Sequence, residues 1–121
     1  MRVLVPVIPI KDGLLISPHF GRAVAFALFE VEGGSYRFEL HKNPAPPQQE
    51  GGRGRTVLSL VNELKPDAVI VRSIGPGAFE RLMASGIRVM RSRDRLAEEA
   101  IRRFIGGELE EMREPESGQG P

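Results

Sequence analysis

Residues 66–79, Pro66-Asp67-Ala68-Val69-Ile70-Val71-Arg72-Ser73-Ile74-Gly75-Pro76-Gly77-Ala78-Phe79, decide the fold class. Ala68 to Val71 is a short unbroken apolar run, the pattern of a strand covered on both faces. Gly75-Pro76-Gly77 then opens a helix, because proline suits a first helical turn, and Phe79, Leu82 and Met83 form its inner face until Gly86 ends it. A buried strand running into a helix is the repeating unit of an α/β sheet, and a strand followed by a helix returns parallel with a right-handed crossover.

Outward from this unit the pattern recurs. Downstream, residues 87–90 read as another short strand. Asp94 is placed to cap a last helix whose Ala97, Ala100, Ile101 and Phe104 make one stripe, closed by Gly106-Gly107. Upstream, a helix is expected from near Arg55, with Val57, Leu60, Val61 and Leu64 at helical spacing and Pro66 as its stop. Residues 43–54 carry Pro44, Pro46, Pro47, Gly51, Gly52 and Gly54 and read as a loop. Residues 36–41 alternate, with Tyr36, Phe38 and Leu40 on one face and Arg37, Glu39 and His41 on the other. Gly33-Gly34 joins them to the apolar run 25–31 as an antiparallel hairpin. Residues 3–8 form a first buried strand. The expectation is one α/β domain over residues 1–109, a five-stranded mixed sheet flanked by three helices. The ribonuclease-H-like topology is one solution of that connectivity. Residues 110–121, acidic and then rich in Pro, Gly, Ser and Gln, read as a disordered tail.

Composition narrows the chemistry. The chain has 121 residues, 17 Lys+Arg against 16 Asp+Glu, and no cysteine, so thiolate metal sites and cysteine nucleophiles are excluded. A net charge of +1 argues against a nucleic-acid binder. No apolar stretch reaches the roughly 18 residues of a membrane helix, and the N-terminal run is broken by Pro6 and Pro9, so a cytoplasmic protein without membrane partners is expected. Fourteen of the cations are arginine, a residue suited to planar, bidentate anion contacts.

Ligands of such sheets gather beyond the carboxyl ends of the parallel strands. Three loops should meet there, residues 9–22, 73–77 and 91–94. The Gly75 turn offers backbone N–H groups at a helix start, or is an ordinary strand-to-helix turn. Gly51-Gly52-Arg53-Gly54-Arg55-Thr56 also precedes a helix and either cradles an anion or is a solvated loop; it lacks the ending of a Walker loop. His19, held between Pro18 and Phe20-Gly21, is a metal ligand or proton carrier, or a satisfied turn histidine. His41 reads as solvated, as do Glu98-Glu99. No Gly-x-Ser-x-Gly elbow occurs, and no carboxylate lies in strand 3–8 where a nuclease of this topology would hold metals.

The stretch Ser17-Pro18-His19-Phe20-Gly21-Arg22-Ala23 resembles the dinitrogenase iron-molybdenum cofactor biosynthesis family, the NifX/NafY-like cofactor carriers and the C-terminal region of NifB-type proteins. Asn43-Pro44, the glycines of 51–54, Pro66-Asp67-Ala68-Val69-Ile70, Gly75-Pro76-Gly77-Ala78, Gly86-Ile87-Arg88-Val89, Glu98-Glu99-Ala100-Ile101 and Gly106-Gly107-Glu108-Leu109 agree in order. The resemblance implies a ribonuclease-H-like domain that binds or escorts an iron-sulfur or iron-molybdenum cluster and is not an enzyme. It implies His19 as cluster ligand, Arg22, Arg53 and Arg55 as complements to a negative cofactor, and Ser17 and Gly75 as hydrogen-bond donors. Cofactor donor and acceptor proteins would be its partners. A small-anion or nucleotide-binding regulatory module is the competing expectation, a metal-dependent nuclease a more distant one, and the oligomeric state is left open.

Overall fold

The computed structural model describes residues 1–46, 48–49 and 51–115. The strands are β1 (Arg2–Ile10), β2 (Gly13–Ile16), β3 (Ala25–Glu32), β4 (Ser35–Lys42), β5 (Ala68–Val71), β6 (Arg88–Arg91) and β7 (Glu110–Glu111). The helices are α1 (Arg53–Leu64), α2 (Pro76–Ala84) and α3 (Ala97–Ile105). One mixed sheet runs in the order β4-β3-β1-β5-β6-β7, with β2 paired to β1.

β1 organises this sheet. It pairs antiparallel with β3 from Arg2 to Val7 and parallel with β5 at Val3 and Leu4, while Val7 to Ile10 pair antiparallel with β2. Val7 is paired with both Ala25 and Ile16, so β2 lies on the β5 side and continues that strand's line. The sheet therefore has seven strands among the described residues, not the expected five. β2 escapes a sequence reading because its four residues follow β1 after a two-residue turn and merge with the loop; β7 is only two acidic residues long.

The two sheet faces are buried separately. Leu4, Phe26, Leu28, Val69, Val71 and Val89 pack under α1 and α2, while Val3, Val5, Phe29, Ala68 and Ile70 pack under α3. Alternation along each strand thus feeds two cores. Pro66 follows the end of α1 as expected, and Arg2 joins the ends of three elements. Its guanidinium donates to Leu64 O at 2.7 Å, and its N–H donates to Asp67 Oδ2 at 2.8 Å.

Four local expectations need correction. α1 begins at Arg53 rather than near Arg55. Met83 is exposed, since α2 buries only Phe79 and Leu82. Asp94 does not cap α3. The cap is Leu96, whose N–H donates to Glu99 at 3.1 Å, while Asp94 is engaged by Ser92 Oγ at 2.7 Å and Arg103 Nε at 2.9 Å. Glu98 and Glu99 are therefore structural, Glu98 accepting the Leu14 N–H at 3.3 Å. Arg103 is exposed, and its pKa is raised further by the hydrogen bond it donates to Asp94 and by that carboxylate's charge.

The expected tail also begins too early. Glu110 and Glu111 pair with β6, Arg88 bonds Glu111 at 3.1 Å, and Met112 is buried with its N–H on Val89 O at 2.8 Å. Residues 116–121 of that expected tail lie outside the described residues. Met112→Ala should lower stability by about 2 kcal/mol or more, as for other buried methionine truncations. Equilibrium denaturation checks this, since a disordered residue would leave the midpoint unchanged.

Candidate functional site

Ser17 sits where β2 hands the chain to the site. Its N–H donates to Pro6 O at 2.8 Å, while its buried hydroxyl donates to His19 O at 2.7 Å and accepts the His19 N–H at 3.2 Å. A serine bonding two residues ahead closes a tight local turn. Three residues on, Phe20 is buried in the core under α1 and α2, edge-on to Phe26 with ring centroids 5.5 Å apart. The two buried anchors leave His19 between them with its side chain exposed. Ser17 thus spends its hydroxyl on shaping the turn that presents the imidazole.

The next residues are clamped from outside. Asn43 Nδ2 donates to Gly21 O at 3.1 Å and Ala23 O at 2.8 Å, while its Oδ1 accepts the Ala45 N–H at 2.9 Å. Arg53 donates to Gly21 O at 3.2 Å, Pro46 O at 2.6 Å and Gln49 O at 3.0 Å. Arg53 therefore ties the proline loop to the His19 turn through its guanidinium, and its charge stays beside the turn. An open groove of about 790 Å³ lies alongside, with Arg22, Lys42 and Arg53 on its walls and Val24 and Pro44 among its apolar surfaces; among the described residues its lining includes no carboxylate.

The ends of β5 and β6 converge on the same region. Ser92 N–H donates to Val71 O at 2.9 Å and Ile16 N–H to Arg95 O at 3.0 Å, so the loops after β2, β5 and β6 meet as expected. Arg72, Arg93 and Arg95 are exposed there, and Asp94 is engaged by Arg103. Gly75 is the N-cap of α2 without a side-chain cap, so it keeps an open helix start. Arg55 is exposed in the first turn of α1. No hydrogen bond ties Arg55 or Gly75 to the His19 turn among those described.

Asn43, Arg72, Arg93 and Arg95 are site residues that sequence reasoning did not single out. For the three arginines a signal existed, Arg72 directly after β5 and Arg93 and Arg95 in the alternating run after β6; Asn43 had only its place in the family pattern. His41 was expected to be solvated, but its side chain is only 27% exposed and its buried Nε2 lies 3.7 Å from Glu39. It lies on the α1 side of the sheet, opposite Phe26.

This donor set has a definite chemical character. No group of three or more His, Asp or Glu side chains placed to hold a metal occurs among the described residues. One exposed imidazole with several guanidinium groups suits an intact anion or anionic cluster, since a bare divalent ion needs more ligands and fewer cations. The turn's shape rests heavily on Asn43. Asn43→Ala should cost about 1–3 kcal/mol by taking the partner from the Ala23 carbonyl and the Ala45 N–H, while Gly21 O keeps Arg53; a denaturation midpoint matching the parent would refute that role.

The profile of the family described as dinitrogenase iron-molybdenum cofactor matches residues 1–107. The uncharacterized protein MJ0580 of Methanocaldococcus jannaschii is 33% identical over 113 residues, 93% of this chain and 92% of that protein. Among solved structures, the apo form of the orange protein from Desulfovibrio gigas superposes with a TM-score of 0.82 at 25% identity, covering 96% of both chains. A Thermotoga protein provisionally named as NifB gives 0.75 at 30% identity over 98% of both. The matched span takes in the Ser17 turn, the Asn43 and Arg53 clamps and the three converging loops, and the chain belongs to the dinitrogenase iron-molybdenum cofactor family.

Proposed function

We propose that the protein is a non-enzymatic carrier for an anionic iron-sulfur or iron-molybdenum type cluster, taken from a donor protein and passed to an acceptor. The observation that carries this reading is the exposed His19, presented by Ser17 and Phe20 beside a groove with cationic walls. Membership of the cofactor family supports the class of cargo.

The residues divide the task. His19 supplies one neutral nitrogen ligand, and Arg22 and Lys42 offer charge to the negative cargo. Arg53 contributes field while holding the loop, and Arg55 and the N–H groups after Gly75 are further donors to an anion at the converging loops. Retention by one ligand and by charge, in an open groove, leaves the cargo transferable, which a full thiolate cage would resist. The five strands β4-β3-β1-β5-β6 follow the order of the ribonuclease-H-like topology, with β3 as the antiparallel neighbour of β1, and this supports that fold reading. No helix among the described residues is long and apolar enough to cross a membrane, compatible with a cytoplasmic carrier.

Anaerobic titration with iron-molybdenum cofactor or an iron-sulfur precursor, followed by absorbance and metal analysis, tests the reading. Stoichiometric uptake is expected, and His19→Ala should weaken it at least tenfold with an unchanged melting midpoint, since the side chain is exposed. Equal affinity in the variant would remove the ligand role. Arg22→Ala should weaken uptake more at low than at high salt, because exposed charge is screened. Failure of uptake together with a thermal shift by phosphorylated metabolites would favour the small-anion module.

A further inference from the structure

The outer edge of the sheet carries a feature that the cargo site does not use. β4 is a terminal strand of eight residues paired to β3 in one unbroken register from Ala25↔Lys42 to Glu32↔Ser35. It contains no proline and no bulge, and its apolar face is Tyr36, Phe38 and Leu40. These lie on the α3 side of the sheet, since they pair with Val31, Phe29 and Ala27 of that core. Yet Phe38 and Leu40 remain 42% and 47% exposed. A long, regular, apolar edge is what monomeric proteins ordinarily break with charge, proline or a bulge.

The free edge has defined hydrogen-bonding groups. Asn43 N–H bonds inward to Val24 O at 3.2 Å, and the Gly33-Gly34 turn closes on the pair Glu32↔Ser35. Backbone groups alternate in direction along a strand, so residues 35, 37, 39 and 41 bond to β3 and residues 36, 38, 40 and 42 point theirs outward. The same residues that expose apolar side chains expose N–H and C=O groups with no partner among the described residues.

We infer that the occupant of this edge is a second copy of the chain, joined β4 to β4 in antiparallel fashion about a two-fold axis through Phe38. Registers that keep the two apolar faces together shift the pairing by two residues, which moves the axis by one. An axis at Arg37 sets Arg37 against Arg37 of the second copy, and an axis at Glu39 sets Glu39 against its like. An axis at Leu40 carries the pairing past the end of the strand to Pro44, which has no N–H. An axis at Phe38 sets Arg37 opposite Glu39 twice, Tyr36 opposite Leu40 twice, and Phe38 opposite itself, with Ser35 opposite His41. It pairs residues 35–41 of each strand and is complementary in charge and apolarity on both faces. Arg37 and Glu39 side chains are 84% and 60% exposed, and their contacts within the chain, to Glu30 at 3.9 Å and His41 at 3.7 Å, are long. This pairing does not rest on the cargo reading, because it lies on the opposite edge of β4 from β3 and does not involve His19; Lys42, at the end of the strand, also lines the groove.

Sedimentation equilibrium of the full chain tests it. The parent should show twice the 13.3 kDa chain mass at micromolar to submillimolar concentration. Arg37→Glu should raise the dimer dissociation constant about tenfold or more by placing like charges opposite each other at two symmetric positions. The double variant Arg37→Glu, Glu39→Arg should restore it, since the pair is then reversed but complementary. A parent that stays monomeric, one that grows into larger assemblies without a dimer plateau, a dimer indifferent to Arg37→Glu, or a failure of the double variant to recover would each overturn the proposal. Both substituted side chains are exposed, so the far-ultraviolet circular dichroism spectrum of each variant should match the parent's.

Discussion

Everything in this molecule depends on β1 being bonded along both edges at once. Its first residues join β5 in parallel, its full length to Val7 joins β3, and its last four residues turn back on themselves through β2. A strand paired on both sides and covered on both faces leaves no freedom of register, because a one-residue slip would exchange the α1/α2 core for the α3 core at every position. That rigidity is passed directly to the site. The bond from Ser17 N–H to Pro6 O holds the His19 turn against the C-terminal half of β1, over the ends of β5 and β6.

The site itself is built by positioning more than by contact. Ser17, Phe20, Asn43 and Arg53 all act on the backbone of residues 17–23, two from within the turn and two from the far side of the β3–β4 hairpin. What they leave exposed is one imidazole and a set of guanidinium groups, with the carboxylate of Asp94 drawn off by Arg103. A surface of that charge holds anions without specifying much of their geometry, which suits transfer of cargo better than chemistry performed on it.

Much of the fold was legible because its signals are local. The continuous apolar run of β5, the Gly75-Pro76-Gly77 start of α2, Pro66 after α1 and the Gly33-Gly34 hairpin each follow from steric or periodic rules acting over a few residues. Gly33 lies in the left-handed region at φ 61°, as the first position of a II′-type two-residue turn prefers. The departures came where a partner far along the chain sets the outcome. β2 exists because β1 continues beyond the end of β5, β7 because β6 has a free edge, and the cap of α3 falls at Leu96 because Arg103 and Ser92 engage Asp94.

The sequence by itself determined the α/β class, three helices, the hairpin, the family and the residues of the turn that presents His19. Those depend on side-chain type and spacing, which are written along the chain. Only the tertiary structure decided that Arg53 holds the loop with its guanidinium, that Asn43 clamps the turn, that the loops carrying Arg72, Arg93 and Arg95 meet at one end of the sheet, and that Phe38 and Leu40 stay uncovered. Each of these depends on which strands become neighbours and how far α3 extends across the sheet. Long-range pairing of that kind is settled by the closure of the whole core and is not encoded in any one segment.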